Sequence, residues 1–355
     1  MIKFCVGTSF KNIHLIEYAH QCNQKGKGII KDFYGSVENE IFSSINFGTG
    51  REHASCRDLA KFVKKAKRYD INVYLNVNTL RATPDFLKKY ENQIASFLKR
   101  LEDMGVEGVI FSAIPLIEFA AQNSNNLKIA VSAILQLDSL QRIKRLKDMG
   151  VHRIILSLFK GRDFNFLEKL KMVPNMQWEI LCNEICRFEC PFLPQHYLHR
   201  SNPDFAQDKT RNYYYKFCHK ELLYDFPINI LKTRFIRPED VPFYHDYLGI
   251  EYFKIVRRES HPELIKFFMN AYSSLDHDGN LMHLFPMFMK SPKQLKDNKK
   301  LVIMNKDLDG FLTYFYENRP DCSNDCFTVG GKCDYCKRFW QGKRLAHKIK
   351  VAQAV

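Results

Sequence analysis

The segment Arg100-Leu-Glu-Asp-Met-Gly-Val-Glu-Gly-Val-Ile-Phe-Ser112 returns 45 residues later as Arg145-Leu-Lys-Asp-Met-Gly-Val-His-Arg-Ile-Ile-Leu-Ser157. A fainter third version is Tyr247-Leu-Gly-Ile-Glu-Tyr-Phe-Lys-Ile255. In each copy a helix ends, a glycine (Gly105, Gly150 or Gly249) supplies the C-cap, and a buried strand follows, because glycine tolerates the left-handed conformation that ends many helices. Repeated helix–glycine–strand units predict parallel βαβ units with right-handed crossovers. Candidate strands are Lys3–Thr8, Gly28–Tyr34, Asn72–Asn76, Gly108–Ser112, Lys128–Ser132, Arg153–Ser157, Trp178–Cys182, Lys232–Ile236 and Tyr252–Val256. Between them, stretches such as Phe86-Leu87…Ile94…Phe97-Leu98…Leu101 carry apolar residues at helical steps. The expected fold is α/β, a TIM-like (β/α)8 barrel, complete or incomplete, with a small Cys-rich C-terminal extension. The runner-up, an open doubly wound sheet, usually carries a Gly-rich phosphate loop after its first strand, and none follows Thr8. The boundary falls near residue 275: a barrel over 1–275, then an extension over 276–355.

With 45% hydrophobic and 14% aromatic residues, the 355-residue chain is not of a disordered class. No apolar stretch approaches the roughly 18–20 residues of a membrane span, so no membrane insertion is expected. The N-terminus has no signal-peptide core, which points to a cytoplasmic protein whose 11 cysteines stay reduced. The net charge of +15 fits either a Lys-rich solvated surface or an anionic partner such as RNA. The basic residues gather at Lys290, Lys293, Lys296, Lys299 and Lys300 and in the tail from Lys337 to Lys350.

In a barrel the chemistry sits at the C-terminal ends of the strands. That rule selects Asn76, Asn78, Ser112, Ser132, Ser157, Asn183, Glu184, Arg237 and Arg258. A strand-end Ser or Asn can equally satisfy the turn backbone. Glu184 and Arg237, charged and flanked by apolar runs, point to function. The cysteines form two groups. Cys182, Cys186 and Cys190, followed by Pro191, with Cys218 further on, suit a cluster at the barrel mouth: the Cys186–Cys190 spacing puts both sulfurs on one face of a helical turn, and thiolates favour iron–sulfur clusters or zinc. Cys322-x3-Cys326-x6-Cys333-x2-Cys336 is a metal signature open to a four-thiolate zinc or a second 4Fe-4S cluster. So short a segment could hardly form a core without the metal's contribution.

Asn183-Glu184-x-Cys186-x3-Cys190-Pro191, Ile236-Arg237-Pro238-Glu239-Asp240 and Phe253-Lys254-Ile255-x-Arg257 together resemble the collagenase-like peptidase U32 family, including its UbiU/UbiV-like iron–sulfur branch. Phe33-Tyr34-Gly35, Gly50-Arg51, Asn76-x-Asn78 and Gly150-Val151-x-Arg153-Ile154-Ile155-Leu156-Ser157 agree with it. The resemblance implies a TIM-like barrel and a 4Fe-4S cluster on Cys186, Cys190 and Cys218. The fourth ligand would be Cys56, near an early family ligand, or else Cys182.

The activity so implied is oxygen-independent hydroxylation or a related redox tailoring step on a small or RNA-borne substrate, with a second U32-like protein as possible partner in a heterodimer. Glu184 would move the proton. Arg51, Arg237 and Arg257 would grip an anionic group through their guanidinium forks, with Asn76, Asn78, Ser132 and Ser157 orienting it. The alternatives are a peptidase, as the family name suggests, and a non-catalytic partner subunit. A four-thiolate 4Fe-4S site contributes about −2, so two would lower the charge to about +11, still basic enough to favour an anionic substrate.

Overall fold

The computed structural model describes residues 1–38, 41–42, 54–201, 209–210, 212–256, 258, 260–289, 291–293 and 301–343. Arg51, Arg257 and most of the basic run and tail lie outside them. Eight parallel strands close a barrel in sequence order: β1 (Lys3–Gly7), β2 (Ile29–Gly35), β3 (Asn72–Val77), β4 (Gly108–Phe111), β5 (Lys128–Val131), β6 (Arg153–Ile155), β7 (Gln177–Leu181) and β8 (Tyr252–Ile255). The ring closes through Phe4 opposite Phe253 and Val6 opposite Ile255. Around it run α1 (Leu15–Lys25), α2 (Cys56–Lys67), α3 (Pro84–Met104), α4 (Ile114–Asn123), α5 (Leu140–Asp148) and α6 (Phe164–Lys169). Then come α7 (Leu193–Arg200), α8 (Tyr213–Tyr224), α9 (Ile228–Lys232), α10 (Val241–Leu248), α11 (Pro262–Ser274) and α12 (Phe311–Asn318).

The repeat behaves as its glycines require. Gly105, Gly150 and Gly249 all sit at positive φ, 75°, 89° and 71°, and each turns its chain from helix into strand. The period-two alternation of strands then divides the side chains. Phe4, Val6, Phe33, Val73, Leu75, Val109, Ile154 and Phe253 face the helices in the main core. Cys5, Tyr34, Tyr74, Ile110, Ala130 and Ile155 face inward.

A charged layer crosses the barrel interior. Arg153 Nη1 lies 2.5 Å from Asp32 Oδ2 and 3.2 Å from Glu179 Oε2, and Lys254 Nζ lies 2.7 Å from Glu179 Oε1. All four residues are buried. The Arg153 guanidinium stacks over Tyr252 at 3.7 Å and Tyr74 at 4.7 Å, while Lys254 sits over Tyr34 at 3.7 Å. Two acids and two bases sum to zero, which is the condition for such groups to be tolerated out of water.

The expected strand Lys232–Ile236 is corrected. Lys232 ends α9, and the segment after it runs extended outside the sheet. β7 already pairs with β8 from Glu179–Tyr252 to Leu181–Lys254, so the closed ring has no slot for another strand. Ile236 instead donates its N–H to the Cys182 carbonyl at 2.9 Å. The residues between β7 and β8 thus form one long connection carrying α7 to α10.

The extension past residue 275 is fastened to the barrel. Leu281, Met282, Leu284, Phe285, Ile303, Leu308, Phe311 and Phe315 belong to the same buried cluster as the barrel helices. Among the described residues no helix is long and apolar enough to cross a membrane.

Candidate active site at the barrel mouth

The strands end on a ring of buried polar residues. At the end of β3, Asn76 and, just past it, Asn78 meet the residues that follow β8. With the Asn76 amide oriented to match its neighbours, its oxygen accepts from Arg258 Nη1 at 2.5 Å and Nη2 at 3.3 Å, and its nitrogen donates to Asn78 Oδ1 at 2.9 Å. Arg258 also donates to the Ser36 hydroxyl, which in turn donates to the Asn76 carbonyl at 2.9 Å. The other ring members hold turns. Ser112 donates to the Thr79 carbonyl at 3.2 Å, Ser132 accepts from the Ile134 N–H at 3.4 Å, and Ser157 donates to Gln136 Oε1 at 2.7 Å. Gln136 itself has φ 47°, an uncommon conformation for a non-glycine residue that this bond helps to hold. Asn183 ties β7 to β8: its Oδ1 accepts from the Val256 N–H at 2.8 Å, while its buried Nδ2 has no partner among the described residues.

The segment after β7 brings three thiols together. Cys186, Cys190 and Cys218 each hydrogen-bond with the other two. Those bonds, from Cys186 first and then Cys218, hold the Cys190 thiol below its ordinary value, whereas sharing with Cys190 pushes Cys186 up. The Tyr197 hydroxyl, on α7, is raised by burial and faces Cys186, Glu184, Arg200 and Cys190. So Glu184 and Tyr197 stand beside the thiols. Among the described residues, no group of three or more His, Cys, Asp or Glu is set at metal-ligand geometry; the triad as it stands is three thiols sharing hydrogen bonds. Next to it, a cleft of about 700 Å³ opens between Arg81, after β3, and the Gln195, Leu198 and His199 positions of α7, walled by Tyr213 and Tyr214.

Not every candidate joins this site. Cys56 opens α2 and packs, half-buried, on the main core. Cys182 is fully buried in that core. Arg237 is committed elsewhere: Nε and Nη2 form a fork on Asp240 at 2.9 and 2.8 Å, and Nη1 reaches the Asn305 carbonyl at 2.8 Å and Asp309 at 3.0 Å. It latches the extension to the barrel. Cys322, Cys326, Cys333 and Cys336 line a separate cavity of about 430 Å³.

Comparison with known proteins places this architecture. The model of peptidase family U32 matches residues 42–180. The chain is 33% identical over 307 residues to the uncharacterized protease MJ1657 of Methanocaldococcus jannaschii, covering 82% of this chain and 83% of that protein. The chain belongs to peptidase family U32. The solved structure of the U32 peptidase Mk0906 superposes with a TM-score of 0.50 at 13% identity, over 74% of this chain and 94% of the other, a likeness of fold. The U32 match spans β3 to β7 and the polar ring's Asn76, Asn78, Ser112, Ser132 and Ser157, and it ends before the first of the triad thiols.

Sequence reasoning missed Tyr197 and Gln136 as site residues, whereas its strand-end rule did name Arg258, which reaches Asn76; Arg257 lies outside the described residues. For Tyr197 no spacing rule existed, because its place depends on α7 folding back over the thiols.

Proposed function

We propose that this U32 protein is an iron–sulfur enzyme for oxygen-independent hydroxylation or a related redox tailoring step on an anionic substrate, small or RNA-borne. The observation that carries the reading is the triad: Cys186, Cys190 and Cys218, sharing hydrogen bonds at the C-terminal end of a barrel strand. Thiol groups with no hard oxygen ligand among them suit a soft iron–sulfur group rather than Mg²⁺ or Ca²⁺. When bound, a 4Fe-4S cluster would supply one-electron transfer or Lewis acidity. A fourth thiolate would come from Cys182 or Cys56, both of which pack in or on the main core rather than with the triad in this structure.

The protein's own groups have separate tasks. Glu184 takes or gives the proton at its carboxylate, and Tyr197 donates from its hydroxyl on the same side. Arg258, held by Ser36 and Asn76, presents positive charge at the mouth, and Arg81 does so in the cleft. The Asn183 Nδ2 donor, buried and without a partner, supports a polar ligand in the mouth, since such groups rarely stay unpaired. Pairing with a second U32-like protein belongs to the same reading, as does a cytoplasmic location.

The test is purification without air. A brown protein absorbing near 400 nm with about four irons per cluster is expected. Cys186→Ser should lose that iron while keeping the far-UV circular dichroism of the barrel. A colourless chain that takes up no iron and sulfide on reconstitution refutes the reading.

A peptidase is the second reading, and it rests on the family description and on the name of the M. jannaschii relative. Cleavage of gelatin or a peptide by the metallated chain, abolished by Glu184→Ala, would favour it.

A further inference from the structure

We propose that Cys322, Cys326, Cys333 and Cys336 bind a thiophilic metal as a four-thiolate centre, separate from the barrel thiols, and that two buried arginines provide its counter-charge. Three observations converge. All four cysteines line one cavity of about 430 Å³. Their backbone is held in a tight hydrogen-bonded loop. Cys326 and Cys333 form a bridge in which Phe327 N–H donates to the Cys333 carbonyl at 2.9 Å and Cys333 N–H to the Asp325 carbonyl at 2.7 Å. Gly330, at φ 87°, turns the chain between them, and Cys336 stands in the first turn of a helix over 335–343, where the helix dipole favours a thiolate.

The third observation is charge. Arg162 and Arg234 are buried, and neither has a carboxylate ion pair among the described residues. Arg162 donates only to the carbonyls of Leu231 at 2.6 Å and Phe235 at 3.4 Å, and it lies among the rings of Phe235, Phe311 and Phe315. Arg234 donates to the Cys322 sulfur and stacks on Phe188 at 3.7 Å. Asp240 is within reach of Arg162's field but is forked by Arg237. Two buried cations without a paired carboxylate are costly. Four thiols binding Zn²⁺ release four protons and leave a net charge of −2; a 4Fe-4S core in its 2+ state on four thiolates leaves the same. Either offsets both guanidiniums.

The cavity's other wall is Arg187, Phe188 and Glu189, the residues between Cys186 and Cys190, and Ser323 donates to Glu189 at 3.3 Å. The centre would therefore brace the loop that carries two of the barrel thiols.

The test uses the full chain, purified without air and reconstituted separately with Zn²⁺ and with iron plus sulfide. The expected result is one zinc, or about four irons with added absorbance near 400 nm, lost in Cys322→Ser/Cys336→Ser and retained in Cys186→Ser. Alkylation mapping of the unmutated chain gives an independent readout: metal should protect all four cysteines from iodoacetamide. Equal metal content with and without Cys322→Ser/Cys336→Ser, together with equal alkylation with and without metal, overturns the proposal. Failure of the barrel reading alone would look different, since Cys186→Ser would then leave the metal content unchanged.

Discussion

Replacing Glu179 with Gln should be among the most damaging single changes in the barrel. Glu179 is fully buried and holds both cations of the interior, Lys254 at 2.7 Å and Arg153 at 3.2 Å. The four charges Asp32, Glu179, Arg153 and Lys254 sum to zero; Glu179→Gln leaves +1 in a buried layer. Breaking a buried pair from one side costs about 3–5 kcal/mol, a large part of a total stability of about 5–15 kcal/mol. At about 2.1 cal/mol/K per residue, 355 residues give an unfolding entropy of about 0.75 kcal/mol/K, so Tm should fall by about 4–7 °C. Thermal melts followed by circular dichroism measure it. The decisive comparison is Glu179→Gln/Lys254→Met, which restores neutrality. It should melt above Glu179→Gln alone, although it removes more of the native contacts.

The same carboxylate sets a pH dependence. Burial pushes the Glu179 pKa up, but Lys254 and then Arg153 outweigh burial and hold it below its usual value. An acid with a lowered folded pKa contributes fully above its unfolded value, about 4.3, and loses that contribution as pH falls through the folded value. The gap between wild type and Glu179→Gln should therefore be constant from pH 6 to 8 and shrink below about pH 4. A double variant no more stable than the single, or a single costing under about 1 kcal/mol, refutes the charge-balance argument.

Arg237→Leu should loosen the extension, because the fork on Asp240 and the bond to Asn305 hold it; a loss of about 2–4 kcal/mol and earlier proteolytic cuts beyond residue 275 are expected, and an unchanged digest would sink the latch. Gly150→Ala should cost about 1–2 kcal/mol from backbone conformation alone, since φ is 89° and the nearest atom to a new Cβ, on Ala121, is an unstrained 3.7 Å away. Urea melts showing no cost there would mean the loop relaxes.

Much of the barrel was legible because glycine C-caps and period-two strands are local signals. Gly105, Gly150 and Gly249 marked three turns, and eight of the candidate strands lie in the ring. Lys232–Ile236 misled because apolarity alone cannot tell a strand from an extended segment packed outside a closed sheet. That error carried Arg237 with it: the strand-end rule has no force where there is no strand. The charged interior was hidden for another reason. Asp32, Arg153, Glu179 and Lys254 each look anomalous within one apolar strand, and only their sum across four strands explains them. Cys186 and Cys190 could be paired from spacing, but Cys218 joins them only because α8 returns to the loop.

These differences share a physical cause. What sequence periodicity reads well is the ring of strands with its helices, which the U32 match at residues 42–180 largely covers. The β7–β8 connection lies beyond that match and supplies the three thiols, Glu184 and Tyr197, together with a wall of the second cysteine cavity. A barrel can hold its fold while such a connection varies, because the connection adds side chains to the mouth without adding a strand to the ring. Substitutions within 184–218 should then change metal content and activity far more than Tm, whereas Glu179→Gln should do the reverse, and a variant such as Glu184→Gln that melted as early as Glu179→Gln would break that division.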